Sequence, residues 1–425
     1  LSLFRVLIYF IGLPYCFKYR KMIHCLCFKY KCIYFRNRGH MKIGLLGHGT
    51  VGSGVRKIID EMNTKEISQL EISKILVRYE KDITDERMTV DIYDIVEDPD
   101  IDVVVECIGS DEPAFSYVKA ALFNGKHVVT SNKKMLVNHL GELLETARTR
   151  GVSLKYEAAC GGGIPWMSNL DRTKRIDDIE SFRGIFNGTT NYILSKMSNE
   201  GSEFAVALKE AQDCGYAEFD PSDDIDGMDT AYKVILSSCK GFGVLVSMQD
   251  IDIYGIRCIS ARDIVYACTH DYVCKLIGTG VKSNDGISAT VIPTFVPKQN
   301  LFATISANFN AIESASRTLG KMTYVGQGAG CYPTAHAVVQ DLIDLMYKQD
   351  IEVTSGESTR IDNKSRVSSF YVRSINLDCI QDMIEERIDE DTCITKKMSF
   401  VKLTSMIKTL EDDAVFVAEV MHDCK

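Results

Sequence analysis

No stretch of the 425-residue chain is apolar for the roughly 20 residues that a membrane-spanning helix needs. The cleanest run, Val6 to Phe17, stops at twelve residues and contains Pro14, and no A-x-A-like cleavage site follows it, so it does not read as a signal peptide either. A basic surface is missing too. The first forty residues hold eight Lys or Arg and no acid, so the formal charge of −9 leaves −17 on the remainder. That acidic body argues against nucleic acid as a partner, because phosphate contacts need a basic face. From Met41 onward there is no C-x-x-C pair among eleven cysteines, which removes the usual zinc and dithiol spacings and fits reduced, mostly buried thiols in a cytoplasmic protein. Internal repeats and low-complexity linkers are also lacking. With 45% hydrophobic and 25% charged residues the composition is that of an ordinary globular chain, long enough for two or three domains.

Residues 1–40 are aromatic, basic and cysteine-rich, unlike the rest. Met41 is read as the start, and residues 1–40 as a non-native or disordered extension from upstream translation; a membrane-surface anchor is the other reading. From Met41 short Val/Ile runs alternate with helical stretches: MKIGLLG, GSGVRKIIDEMN, ISKILV, IDVVVECIG, PAFSYVKAALFNG and KHVVTS. Buried parallel strands in βαβ units produce this texture. The expected fold class is α/β, a Rossmann-type doubly wound parallel sheet over residues 41–150, followed by a second α+β domain over 151–308 for substrate and dimerisation. Residues 309–347 are expected to return to the first domain through a helix behind a glycine-rich turn. The tail, 348–425, shows one strand at Phe370 to Ile375 and one helix at Cys379 to Ile388 and resists classification.

In KIGLLGHGTVGSGV, Gly47, Gly49 and Gly52 form G-x-G-x-x-G directly after a strand and opening a helix at Thr50 and Val51. The first glycine permits the tight turn, the second lets the backbone approach a pyrophosphate, and the third lets helix and strand pack. Where the second strand ends, an acid would serve the ribose 2′-hydroxyl of NAD and an arginine the 2′-phosphate of NADP. Arg78 stands there, favouring NADP, while Glu80 two residues on keeps NAD open. Cys107, Ile108, Gly109, Ser131 and Lys133 follow the ends of later strands, the edge where such sheets bind ligands.

The run GYAEFDPSDDIDGMDTAYKVIL, residues 215–236, carries six carboxylates and one lysine. As a calcium loop with Gly227 sixth it would start on Ser222 and end on Lys233, where calcium needs a bidentate glutamate. On spacing alone Asp229 and Lys233 read as an exposed i,i+4 ion pair, worth about 0.3–0.5 kcal/mol.

Taken in order, GHGTVG, VVTSNK, YEAACGGGIP, NGTTNYIL, GYAEFDPSDDIDGMDTAYK and GQGAG resemble the homoserine dehydrogenase family from residue 41 to about 345. The resemblance implies NAD(P)-dependent interconversion of L-homoserine and L-aspartate 4-semialdehyde, as in threonine and methionine biosynthesis, by a homodimer. It implies Lys233 as general acid/base, with Asp229 and Lys133 beside it; Glu218 and Asp229 at the substrate's amino end, with Asp224, Gly188 and Thr189 close by; and Gly328 and Gly330 over the cofactor. A monovalent cation such as Na⁺ would lie at Glu157, Cys160, Gly162 and Ile164. Many members of the family end in a regulatory βαββαβ domain of the ACT type, so a degenerate version is one reading of the tail. The departures are Cys160, where a small apolar residue is usual, and Trp166, the only tryptophan.

The chemistry supports the same assignment. Hydride transfer from an alcohol requires the hydroxyl proton to leave with it, and one positioned acid/base serves both directions. A lysine does this when burial or a cationic neighbour lowers its pKa, a role open to Lys133. The alternatives are another two-domain oxidoreductase of a small amino-acid derivative and a nucleotide-binding regulator without chemistry, which would be expected to have lost Asp229 or Lys233.

Overall fold

A computed structural model describes residues 40–347 and 361–422. Except for His40, the segment read as an extension or anchor lies outside these residues. Among the described residues no helix is long and apolar enough to cross a membrane.

Six parallel strands form the first sheet: β1 (Met41–Leu46), β2 (Leu70–Leu76), β3 (Met88–Thr89), β4 (Val103–Glu106), β5 (His127–Thr130) and β6 (Leu154–Lys155), in the order β3-β2-β1-β4-β5-β6. β4 is buried along its whole length, as its V-V-V-E sequence demands of a strand covered on both faces. Helices α1 (Thr50–Glu61), α2 (Ala114–Phe123) and α3 (Lys133–Arg150) flank the sheet. The strand order reverses between β1 and β4, and that is where ligands bind in open α/β sheets.

The second domain is built on helices α4 (Trp166–Thr173), α5 (Gly188–Glu200), α6 (Met228–Phe242) and α7 (Ala261–Thr269), and on an 11-stranded sheet. Its strands are β7 (Ile179–Ile185), β8 (Asp252–Ile253), β9 (Tyr272–Ser283), β10 (Gly286–Pro297), β11 (Phe309–Ser316) and β12 (Gly320–Gln327), continued by strands from the tail. α6 lies directly on β9. A Cβ on Gly278 would fall 2.5 Å from a Val234 methyl, so only glycine allows that approach. α8 (Cys331–Tyr347) packs back on the first domain, where Ala335, Val338 and Leu342 join Val55, Ile58 and Ile43 in one core. Of the segment 309–347, then, only this helix returns. β11 pairs with β7 and β12 with β11, so both belong to the second sheet, β12 as its edge.

The tail corrects the sequence reading most. It consists of β13 (Val367–Arg373), a 3₁₀ stretch (Leu377–Met383), β14 (Ile384–Arg387), β15 (Thr392–Thr395), β16 (Met398–Ser399), α9 (Phe400–Leu410) and β17 (Phe416–Val420). The helix expected at Cys379 to Ile388 is a 3₁₀ stretch followed by a strand, because Ile384 onward pairs with β15. The order β17-β13-β15-β14 with antiparallel neighbours is that of a βαββαβ unit whose first helix is 3₁₀. This unit is fused to the second domain: β17 pairs in parallel with β10 through Thr294↔Glu419 and Phe295↔Val420. A buried ion pair fastens it. Arg373 reaches Asp263 at 2.9 and 3.1 Å, Tyr371 Oη donates to the same carboxylate at 2.9 Å, and Asp263 also caps α7 by accepting from Ser260 N at 2.8 Å. The ten described cysteines are free, but only Cys160, Cys239, Cys274 and Cys393 are buried, fewer than expected.

Asp263 has no exposed surface, and its removal leaves the Arg373 guanidinium with the Cys258 carbonyl but without its counter-charge, in a site that is largely closed to water. Asp263→Ala is therefore expected to destabilise the protein by about 3–5 kcal/mol. A urea midpoint equal to that of the unmodified protein would contradict this account of how the tail is held.

Candidate active site

The glycine turn after β1 is shaped for a phosphate. Gly47 has φ +93, and a Cβ on Gly52 would lie 2.1 Å from the Gly47 carbonyl oxygen, so both positions need glycine. A Cβ on Gly49 would meet nothing within 4 Å, and no side chain caps α1 there. The first turn of the helix thus presents its uncapped positive end beside an open space at Gly49. Across the switch point, Gly47 packs on the Cys107 carbonyl, and Gly109 (φ +85) borders open space. Beneath them Glu106 is fully buried and accepts from Thr130 Oγ1 and from Ile108 N at 2.6 Å; burial raises its carboxyl despite these bonds. Ser131 N donates to the Glu106 carbonyl at 3.3 Å. Arg78, exposed at the end of β2, stacks 5.2 Å from the Tyr79 ring. The residues at this edge fit a dinucleotide.

The acidic run divides. α6 begins after Gly227 (φ +86), and the i,i+4 spacing puts Asp229 and Lys233 on one face, each side chain only 10% exposed. That burial overturns the exposed-pair reading. Lys233 Nζ donates to Asp229 Oδ2 at 2.7 Å and to the Phe186 carbonyl at 2.6 Å. Lys133, the first residue of α3, pairs with Asp229 Oδ1 at 3.1 Å and so reaches from the first domain into the second. At the positive end of its own helix this lysine would be disfavoured, and Asp229 offsets that. Burial alone would raise the Asp229 carboxyl, but Lys233 and Lys133 together hold it well below the usual carboxylate range. Asp229 in turn raises Lys133.

Asn187 ties the remaining acid to this pair. It caps α5 by accepting from Thr190 N at 2.8 Å, and its amide donates to Asp224 Oδ1 at 2.6 Å and Asp229 Oδ2 at 2.8 Å. Burial, then Asp229, raises the Asp224 carboxyl. Gly188 and Thr189 form the first turn of α5, and Thr189 Oγ1 donates to the Tyr216 carbonyl at 2.6 Å. Glu218 stands apart: it is exposed, and its carboxylate joins no ion pair among the described residues. Asp220 and Asp226 are turn acids, the first accepting from Ser222 N at 3.1 Å and the second pairing with Arg257 at 2.7 Å.

The E-A-A-C-G-G-G-I loop joins the domains. The Glu157 carboxylate accepts from Met167 N at 2.9 Å and Ser168 N at 2.7 Å, capping α4, so its side chain is committed to the helix. The carbonyls of Glu157 and Ile164 accept from Cys160 N and Trp166 N, whereas those of Cys160 and Gly162 accept no hydrogen bond among the described residues. The glycine turn after β12 closes on this loop: Gly163 N donates to the Gln327 carbonyl at 3.2 Å, a Cβ on Gly162 would lie 2.5 Å from the Gly328 backbone, and Gly330 has φ +119.

Asn187 and Asn310 were not singled out from sequence. Asn187 carries a readable signal, an N-cap asparagine before the apolar periodicity of α5. Asn310 carries none. It is wholly buried, donates to the Phe186 carbonyl at 2.8 Å, and lies so close under Gly328 that a Cβ there would come within 1.8 Å of its amide. A separate cleft of about 790 Å³ is lined by Tyr156, Asp171, Lys240, His336 and Asp341 among others, but by none of Lys133, Asp229 and Lys233.

The family model for homoserine dehydrogenase matches residues 165–343, and the model for the homoserine dehydrogenase NAD binding domain matches residues 47–157. The homoserine dehydrogenase of Bacillus subtilis is 39% identical over 323 residues, 74% of this chain and 75% of its own length. Among solved structures, a homoserine dehydrogenase from Thiobacillus denitrificans superposes with a TM-score of 0.81 at 31% identity, over 90% of this chain and 98% of that one. A hyperthermophilic archaeal homoserine dehydrogenase mutant in complex with NADPH superposes with a TM-score of 0.64 at 26% identity, over 74% of this chain and 99% of that one.

Asp341, buried on α8, accepts from Glu157 N at 2.8 Å, and burial, with Glu157 next, pushes its carboxyl well above the usual range. An acid raised in the folded state favours folding below its unfolded pKa, and that contribution is lost as pH rises through the folded pKa. Asp341→Asn keeps the acceptor without the charge. The variant should match the unmodified protein near pH ~4 and gain on it in melting temperature up to pH ~8. Parallel melting curves across that range would refute the burial argument.

Proposed function

The chain belongs to the homoserine dehydrogenase family of oxidoreductases, and from that premise we propose which residues do the chemistry of NAD(P)-dependent interconversion of L-homoserine and L-aspartate 4-semialdehyde. The observation that carries the reading is the Lys133–Asp229–Lys233 array, which spans both domains and in which Asp229 and Lys233 are buried. Lys233 is the general acid/base. When bound, the nicotinamide supplies the hydride chemistry at the carbinol carbon. Lys233 takes the hydroxyl proton as the carbonyl forms and returns it in the reverse direction. Asp229, fixed by Asn187, holds the ammonium that results, so both protonation states keep one geometry. Lys133 brings a second positive charge to the place where negative charge develops on the substrate oxygen. The substrate's ammonium group meets Asp224 and Glu218, the latter from the exposed rim, with Gly188 and Thr189 bordering the site.

NADP is the preferred cofactor in this reading, because Arg78 is exposed at the end of β2 to meet a 2′-phosphate. The archaeal relative in complex with NADPH supports it. Cys107, Ile108, Gly109 and Ser131 line the cofactor's edge, and Gly328 and Gly330 cover it. The carbonyls of Cys160 and Gly162, which accept no hydrogen bond among the described residues, suit a monovalent cation such as Na⁺, while the Glu157 side chain serves α4 instead. A homodimer through the second domain rests on family membership; β12, at the edge of its sheet with Met322 and Val325 exposed, offers such a surface. Free thiols fit a cytoplasmic setting.

Nicotinamide absorbance with homoserine and either cofactor tests the chemistry. Lys233→Ala should lower kcat by at least ~10², the size of a general acid/base contribution. Equal turnover by the two proteins would sink the assignment, and a clear preference for NAD would remove the role given to Arg78. Light scattering should return a dimer mass, and a monomer mass would contradict the proposed assembly.

A further inference from the structure

β9 places Lys275 beneath α5, where only 1% of the residue is exposed. Among the described residues no carboxylate pairs with it. Its ammonium donates to the Ile305 carbonyl at 2.5 Å, to Asn191 Oδ1 at 2.8 Å and to Ser195 Oγ at 3.4 Å. Burial pulls its pKa down to about 8. A buried charge without a counter-ion is costly, and an apolar side chain would fill the same volume more favourably.

What this ammonium holds is the turn from Ile305 to Asn310. From α5, the Asn191 amide donates to the carbonyls of Ile305 at 3.3 Å and of Ala307 and Phe309 at 3.1 Å. Ala307 sits at φ +54, a left-handed conformation that a residue other than glycine keeps only when its surroundings impose it. The Asn308 carbonyl presses against Gly188, where a Cβ would come to 2.6 Å. At the far end Asn310 donates to the Phe186 carbonyl, which also accepts from Lys233. The turn therefore sets both the backing of Gly188 and the acceptor of Lys233.

We propose that Lys275 is a positioning residue for the reaction, an internal cation that gathers the Ile305–Asn310 turn so that, through Asn310, the Phe186 carbonyl is held where Lys233 needs it. This rests on Lys233 being the general acid/base. Besides that carbonyl, Lys233 faces Asp229 on its own helix, Lys133 from α3, Asp224 from the short helix Ser222–Ile225, and the Cys160 thiol. Lys275 faces the Cys274 thiol beside it, and the α5 side chains it touches are neutral.

Lys275→Met keeps the length and removes the charge. Counted per cofactor site by NADPH fluorescence titration, its kcat for homoserine oxidation should fall about tenfold, the worth of one hydrogen bond to a charged group, with cofactor affinity unchanged. The loss should fall on kcat, with the KM for homoserine unchanged, because what is displaced is the acceptor of Lys233 and not the substrate's own contacts. Asn310→Ala breaks the far end of the array and should lower kcat in the same way, and it decides the matter if Lys275→Met does not fold. A loss carried by KM, or by the number of cofactor sites with kcat per site unmoved, would mean a merely structural lysine and overturn the proposal. So would unmodified kinetics in both variants while Lys233→Ala is inactive. Full activity in Lys233→Ala would instead remove the premise.

Discussion

One carboxylate, Asp229, joins the two domains chemically. Its two oxygens are divided, one toward Lys133 of the first domain and the other toward Lys233 of its own helix and the Asn187 amide. Around a buried carboxylate this arrangement has to be complete. A carboxylate taken from water with one cation would be poorly compensated, and two lysines close together without it would repel. The three charges and the asparagine therefore require one another. The helix that carries Asp229 and Lys233 has to lie flat on β9, and Gly278 makes that possible.

Around this charge array the fixed points are backbone groups and amides. The Phe186 carbonyl receives two donors, Lys233 and Asn310; Asn187 caps α5 while bridging Asp224 and Asp229; and Gly328 can lie on Asn310 only because it has no side chain. Asparagine suits such places because it donates and accepts at once and carries no charge that would disturb the lysines. The glycine-rich turns at 161–163 and 326–330 touch each other for a related reason: each brings bare backbone to a seam where side chains would keep the domains apart.

These two kinds of residue differ in how visible they are in sequence. Periodicity made the parallel sheet legible, since a buried V-V-V-E strand has few other readings, and the glycine fingerprint located the switch point. Lys233 and Asp229 were legible only through the ordered set of motifs, because spacing alone favoured an exposed pair, whereas Lys133 already stood at a strand end on the ligand-binding edge. Asn310 and Lys275 were not legible at all. Each looks polar in an ordinary strand, and its significance depends on contacts with residues more than 80 positions away. Glu218 shows the converse, a motif residue that the described structure leaves exposed and outside the array.

The tail was misread because its elements are not self-sufficient. A helix of ten residues at Cys379 to Ile388 gains little by itself, and the strand pairing of Ile384 with Thr395 outweighs it. β13 is completed by β15 on one side and β17 on the other, and β17 by β13 and β10. That last pairing has a mechanical consequence. β10 is the partner of β9 along its whole length, and β9 carries both the Gly278 seat of α6 and Lys275 beneath α5. The βαββαβ unit is therefore one strand away from the strand that supports both walls of the active site. The tail unit and the strand beneath Asp229 and Lys233 therefore share one continuous ladder of backbone hydrogen bonds, β17 to β10 to β9.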